Sequence, residues 1–183
     1  LRPASTDEVV QVVEIANRFR VPIHPISGGK NWGLGSRLPV RDGVVVLDLG
    51  RMNAIRKVNV KHHYAVVEPG VTQRQLYEHI RDNHLPLVMN VTGAAGGTSL
   101  IGNAMERGVG YFASRAEALT GLEVVLGNGA LLKTGFGHFE GAQAKHLYKF
   151  GIGPFLDGLF SQSNYGIVTS AAVALMPKRD AHM

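Results

Sequence analysis

Residues 25–36 read Pro25-Ile26-Ser27-Gly28-Gly29-Lys30-Asn31-Trp32-Gly33-Leu34-Gly35-Ser36, a run that holds four glycines. Glycine has no Cβ, so successive backbone amides can converge on an oxyanion without obstruction. Ser27 and Asn31 add hydrogen-bonding side chains and Lys30 adds a charge. The spacing fits neither a P-loop nor a G-x-G-x-x-G fingerprint, because Gly28-Gly29 and Gly33-x-Gly35 are placed differently and no Gly-Lys-Ser/Thr occurs. The run leaves a short apolar segment, Ile23 to Ile26, that reads as a strand, and the polar loop continues to about Asp42. Two readings stay open on these residues alone: a phosphate-binding loop, or an ordinary surface loop.

Upstream, Ser5 and Glu8 form a capping box, and Val9, Val12, Val13 and Ala16 follow at helical spacing, with Phe19 extending the stripe. Val21-Pro22 ends that helix, since the residue before proline avoids the helical region. Downstream, Val44 to Leu49 reads as a buried strand. The order helix, strand, loop, strand predicts part of an α/β unit whose opening strand is expected before Leu1. The rest of the chain changes character. Ile55 to Val60 and Tyr64 to Glu68 read as short strands joined by Lys61-His62-His63 and closed by Pro69-Gly70. Thr72 with Gln75 predicts a second capped helix to about Asn83, with Val71 stapled to Leu76. Gly127-Asn128-Gly129 between two apolar runs predicts a hairpin, and a last strand is expected from about Ile167 to Met176. The expected architecture is two interleaved lobes, one α/β and one mostly antiparallel.

A second Gly-rich run spans Thr92-Gly93-Ala94-Ala95-Gly96-Gly97-Thr98, followed by Ser99-Leu100-Ile101-Gly102-Asn103. Small residues here precede a segment that can start a helix, whose positive end attracts anions. Two separate Gly loops suit a ligand with a long polar spine, such as a dinucleotide. Small residues equally permit tight packing of backbone on backbone. In Glu106-Arg107-Gly108-Val109-Gly110-Tyr111, Arg107 can neutralise a phosphate or hold a carboxylate. It can also serve as a surface ion pair.

Composition narrows the field. The chain has 183 residues, 45% hydrophobic and 18% charged, which suits a single folded domain. Glycine accounts for 23 of them, nearly twice the usual share of roughly 7%. The absence of cysteine excludes disulfides and thiol catalysis. The formal charge of +5 suits an anionic ligand. Lys and Arg are scattered and lack stacking aromatics, so nucleic acid is not expected. No apolar run approaches the ~18 residues of a membrane span. The histidines show no metal-ligand spacing, and G-x-S-x-G is absent.

Read together, these segments resemble the FAD domains of the vanillyl-alcohol oxidase and p-cresol methylhydroxylase family. Arg2-Pro3-x-Ser5-Thr6-x-Glu8-Val9 and Pro25-Ile26-Ser27-Gly28-Gly29-Lys30-Asn31 resemble its opening. Val66-Val67-Glu68-Pro69-Gly70-Val71-Thr72 is similar to its next signature. Gly102-Asn103-Ala104-Met105-Glu106-Arg107-Gly108-Val109-Gly110-Tyr111 points to the phenol-oxidising branch. Gly121-Leu122-Glu123-Val124-Val125-Leu126 and the stretch from Phe160 to Thr169 complete the match over about residues 2 to 178.

The resemblance implies an α+β fold of two interleaved lobes, about 1–50 and about 51–178, with FAD between them. The family's opening strand would lie upstream and its substrate-covering cap domain downstream. It implies that Ser27, Gly28, Gly29, Lys30 and Asn31 wrap the pyrophosphate and that Gly96, Gly97, Thr98, Gly102 and Asn103 line its other side. Ile26, Gly35, Ser36, Pro69, Gly70, Thr92 and Gly93 would also contact the cofactor. Arg107, Gly108 and Tyr111 would lie towards the flavin, and Gly166, Ile167 and Val168 would offer backbone groups.

Some related oxidases attach FAD through a His after the Gly pair of the first loop; Lys30 stands there, so that link is not expected. Phenol-oxidising relatives carry Gly-Asp-His after the tyrosine motif. Here Phe112-Ala113-Ser114-Arg115-Ala116-Glu117 stands instead, with Glu117 the acid available for the role. The implied chemistry is hydride removal from a small hydroxylated molecule such as a 4-alkylphenol, with water adding to the quinone methide and electrons passing to oxygen or a cytochrome. A homo-oligomer is compatible with the family. The competing reading is a flavin- or nucleotide-binding module without chemistry of its own, acting with a partner chain.

Overall fold

The computed structural model describes residues 1–30 and 37–179. The chain opens with α1 (Thr6–Phe19) and β1 (Ile23–Ile26), then β2 (Val45–Asp48). β1 and β2 pair in parallel, Ile23 opposite Val45 and Ile26 opposite Asp48. The chain enters along the other edge of β2. The Leu1 backbone nitrogen donates to the Val46 carbonyl at 2.8 Å, and the Asp48 amide donates to the Leu1 carbonyl at 2.9 Å.

The second lobe holds β3 (Ile55–Asn59), β4 (Tyr64–Val67), α2 (Gln73–Asp82), β5 (Leu87–Met89), α3 (Leu100–Met105), β6 (Leu119–Leu126), β7 (Leu131–Lys133) and β8 (Gly166–Pro177). These strands form a six-stranded antiparallel sheet in the order β3-β4-β8-β6-β7, with β5 beside the far end of β8. β8 is its spine. Its residues from Ile167 to Val173 are all buried, Thr169 and Ser170 among them, so both faces of the strand are covered.

Two clusters make up most of the core. Val9 and Val13 of α1 pack with Leu47, Leu49 and Met52 and with Val125 and Ile167 of the large sheet. Leu76 and Ile80 of α2 and Leu100, Ile101 and Ala104 of α3 pack on Val67, Ala171, Val173 and Leu175. Each fully buried Leu or Val contributes roughly 1.5–3 kcal/mol. The first cluster draws on both lobes, so it fixes the cleft between β1 and the start of β8.

The helix caps form with altered partners. Ser5 accepts from the Glu8 amide at 3.2 Å, but the Glu8 carboxylate takes the Ala4 amide at 2.8 Å instead of that of Ser5. Thr72 accepts from the Gln75 amide, while the Gln75 side chain donates to the Asn53 carbonyl at 2.8 Å. α1 stops at Arg20, which takes a left-handed conformation (φ 54°), and the Val21 amide closes on the Ala16 carbonyl. Proline 22 is therefore downstream of the actual stop. β5 was not anticipated from the sequence; three residues next to a proline are too short to show a period.

Candidate functional site

A cavity of about 540 Å³ opens between the lobes, within the usual range of a small-molecule site. Its walls come from the end of β1 and the first Gly run, from Thr98 to Glu106, and from the segment Phe160 to Val168. Of the residues anticipated for FAD, Ile26, Ser27, Gly28, Gly29, Lys30, Pro69, Thr98, Gly102, Asn103, Gly166, Ile167 and Val168 line it together. Asn31, Gly35 and Ser36 lie outside the described residues.

Glycine is required on these walls by close approach. A Cβ on Gly102 would overlap the Ser27 hydroxyl, and one on Gly166 would meet Val124 Cγ1 at 2.5 Å and the Val125 carbonyl at 3.0 Å. Gly70 is not a lining residue; a Cβ there would meet the carbonyls of Gly50 at 2.7 Å and Met52 at 2.8 Å, so it brings Pro69 to the wall. Glu68 braces the same turn, accepting from the Ala54 amide at 2.9 Å and pairing with Arg56 at 3.0 Å.

The second Gly run does different work from that expected. Thr92, Gly93, Gly96 and Gly97 are not on the cavity wall. The backbone of the run is pinned to the start of α2. The Thr92 amide donates to Gln73 Oε1, the Arg74 amide to the Gly96 carbonyl and the Gln73 amide to the Thr98 carbonyl. Gly97 does touch the site indirectly, because the Lys30 ammonium lies 2.6 Å from where its Cβ would stand. α3 has only six residues and caps itself. Leu100 donates to the Val71 carbonyl and Gly102 to Ser99 Oγ at 2.9 Å, which leaves the Ile101 amide as the first-turn donor without a partner among the described residues.

Arg107, Gly108 and Tyr111 also lie beyond the cavity lining. Arg107 is exposed, with Nε 3.4 Å from Ser161 Oγ. Gly108 sits against the Asn103 side chain, where a Cβ would collide with the amide. Tyr111 is 85% exposed and stacks edge-on with Phe112, ring centroids 5.7 Å apart. Glu117 is exposed on a 3-10 turn and acts electrostatically on Lys149, so it does not bring an acid to the cavity; Glu106 does.

Several lining residues were missed: His24, Pro25, Leu49, Ser99, Ile101, Met105, Glu106, Phe160, Gln162, Ser163 and Asn164. Gln162 explains the last group. It adopts φ 50°, its amide donates to the Met105 carbonyl at 2.9 Å, and its Nε2 donates to the Glu106 carbonyl at 3.3 Å. These bonds close the end of α3 and turn residues 162–164 towards the cavity. The signal was the polar run Ser161-Gln162-Ser163-Asn164 directly before a buried strand.

Among the described residues no group of three His, Asp or Glu could hold a metal ion, and no helix is long and apolar enough to cross a membrane. The site is thus a glycine-walled interlobe cleft lined by hydroxyl, amide and lysine groups and by apolar Ile101, Met105, Phe160 and Ile167. That combination fits a long ligand with a polar anionic middle and flat aromatic ends.

The fold and cleft define a dinucleotide-type cofactor domain, and the comparisons say which. The family described as FAD binding domain matches residues 1–135, and the chain belongs to it. It is 47% identical over 184 residues to 1'-carboxy-chondrochloren decarboxylase of Chondromyces crocatus, covering 100% of this chain and 34% of that protein. It is 45% identical over 178 residues to the 4-cresol dehydrogenase [hydroxylating] flavoprotein subunit of Pseudomonas putida, covering 96% of this chain and 34% of that one. The crystal structure of p-cresol methylhydroxylase with substrate bound superposes with a TM-score of 0.95 at 42% identity, covering 97% of this chain and 35% of that one. The chain thus spans about a third of the length of the relatives it matches. Its cofactor is FAD.

Proposed function

We propose that the chain supplies the FAD-binding part of an oxidoreductase that acts on a small hydroxylated substrate of the 4-alkylphenol type. The observation that carries the reading is the interlobe cleft, where Ser27, Gly28, Gly29 and Lys30 face Thr98, Gly102 and Asn103 across a space of about 540 Å³. When bound there, FAD supplies hydride acceptance. The chain's own residues bind and orient. Backbone at Gly28 and Gly29 approaches the pyrophosphate, Asn103 and Ser27 offer hydrogen bonds, and Met105 and Phe160 exclude water from the apolar side. Gly166 to Val168 offer backbone groups on the opposite wall.

The identity to a hydroxylating 4-cresol dehydrogenase subunit supports a phenolic substrate, and the word "subunit" in its name supports a protein electron acceptor, such as a cytochrome, as partner. The identity to a decarboxylase acting on a 1'-carboxy compound supports a second reading, in which the substrate's side chain carries a carboxyl group that is lost. One experiment separates them. The full chain is purified, its flavin is identified by its spectrum before and after denaturation, and it is assayed with 4-alkylphenols and their carboxylated analogues, using oxygen or an artificial acceptor. Flavin reduction by a 4-alkylphenol supports the first reading, and carbon dioxide release only from the carboxylated compounds supports the second. FMN as the only extracted flavin would overturn both.

A further inference from the structure

Arg115 is 3% exposed, yet among the described residues no Asp or Glu lies within ion-pair distance of it. Its side chain donates from Nη1 to Gln73 Oε1 at 2.7 Å, and Gln73 is itself 5% exposed. Gln73 is a hub. The same Oε1 accepts from the Thr92 amide at 2.9 Å, Nε2 donates to the Ala94 carbonyl at 3.3 Å, and the backbone amide donates to the Thr98 carbonyl at 2.9 Å. The Arg115 amide donates to the Gly108 carbonyl at 2.9 Å, and Gly108 in turn donates to the Asn103 carbonyl at 2.7 Å. Thr98 and Asn103 both line the cavity. Arg115 therefore stands behind two segments of the cavity wall, reaching towards Thr98 through its guanidinium and Gln73 and towards Asn103 through its backbone amide and Gly108.

A buried cation that faces only a neutral amide is unfavourable unless an anion completes it. Burial pulls the Arg115 pKa down to about 10, which leaves it charged at neutral pH. Resting on the FAD reading above, we propose that Arg115 is a positioning residue of the cofactor site. It sets Gln73, Gln73 sets the backbone of residues 92–98, and the buried charge finds its counter-ion in the cofactor's diphosphate across the wall made by Thr98 and Asn103. The role differs from that of Lys30, which is exposed. Salt screens an exposed charge strongly and a buried one weakly.

The test uses the full chain prepared flavin-free from riboflavin-depleted cells. Calorimetry measures binding of FAD and of ADP, which carries the diphosphate without the isoalloxazine, at low and at high salt. Arg115→Met is expected to weaken both ligands on the order of tenfold, by the same factor at both salts, as loss of a supporting residue does elsewhere. Arg115→Lys is expected to recover part of that loss. Gln73→Glu places a carboxylate against Arg115; it is expected to raise the melting temperature of the flavin-free protein and still weaken both ligands. If Arg115→Met does not fold, Gln73→Glu decides. A parent that binds FAD and ADP, with variants that bind both equally well, overturns the proposal alone. A parent that binds neither overturns the FAD reading and the proposal with it. Arg115→Lys as weak as Arg115→Met at both salts overturns the counter-ion role.

Discussion

The α-carbon of Gly102 lies directly against the hydroxyl of Ser27, with Ser99 Oγ 3.1 Å from the same missing Cβ. This contact joins the first Gly run to α3 across the floor of the cleft. It makes Gly102 a wall element whose smallness is needed by a neighbouring residue rather than by its own backbone angle, since its φ is not left-handed.

Gly102→Ala is therefore expected to lower FAD occupancy by displacing Ser27, at a cost of about 1–3 kcal/mol for overpacking. Adding Ser27→Gly opens the space again, so the double variant should regain folding stability while FAD binding stays weak. Urea unfolding and flavin titration of the three variants check this. Equal stability of Gly102→Ala and the parent would show that the floor yields freely.

Much of this arrangement was legible in the residues. The N-caps at Ser5 and Thr72, the Asn128-centred hairpin and the buried run of β8 each follow from local chemistry and fall where expected, whereas the return bonds of both capping boxes go to other partners. Ile26 to Lys30 and the Gly102-Asn103 pair meet at the cleft. What was not legible depends on distant partners. The second Gly run is tied to α2 through the Thr92 amide, which donates to Gln73, 19 residues away, and through the Ala94, Gly96 and Thr98 carbonyls, which holds its backbone off the cavity lining. Gln162 reaches the wall only because it bonds to Met105 and Glu106, 56 residues from the latter. Period and spacing carry no information about either.

Lys30 and Gly97 give a coupled prediction. The Lys30 ammonium occupies the space beside Gly97, and Gly97 has no left-handed φ that would forbid a side chain. Gly97→Ala should act by displacing that ammonium, so Gly97→Ala, Lys30→Ala and the double variant should weaken FAD binding by similar amounts, about 0–1 kcal/mol. High salt should erase the differences. Additive losses in flavin titrations would show that Gly97 meets the cofactor on its own account.

His146 predicts acid sensitivity. Its ring packs against Tyr64 with centroids 5.5 Å apart, and Nδ1 is buried without a partner among the described residues. Burial first, then Lys145 and Lys57, lower its pKa from 6.5 to about 4. A histidine with a lowered folded pKa contributes stability that is present above its unfolded value and lost as pH falls through the folded one. The parent should lose on the order of 2 kcal/mol between about pH 6.5 and 4 that His146→Gln does not lose. Denaturant melts of both proteins across that window measure it, and parallel curves would refute it.

Asp157 predicts the opposite trend at higher pH. It is 5% exposed, and neither carboxyl oxygen has a hydrogen-bond partner among the described residues. Burial raises its pKa, opposed by the nearby Thr134 hydroxyl and Lys149. The Thr134 oxygen accepts from the Leu122 amide at 2.8 Å, which leaves its hydroxyl proton free to turn towards another acceptor. A raised carboxyl pKa contributes stability that is complete below the unfolded value of 3.8 and is lost as pH rises through the folded value. Asp157→Asn keeps the shape and removes the titration. The variant should match the parent near pH 4 and exceed it near pH 8 by about 1–2 kcal/mol. The 3-10 turn Asp157–Phe160 carries Phe160 onto the cavity wall, so the variant should also retain FAD better at the higher pH. Urea unfolding and flavin release measured at both pH values test the two parts together. A parent as stable as Asp157→Asn at pH 8 would mean that the carboxylate has found a partner on ionising, and that Phe160 is not held by its proton.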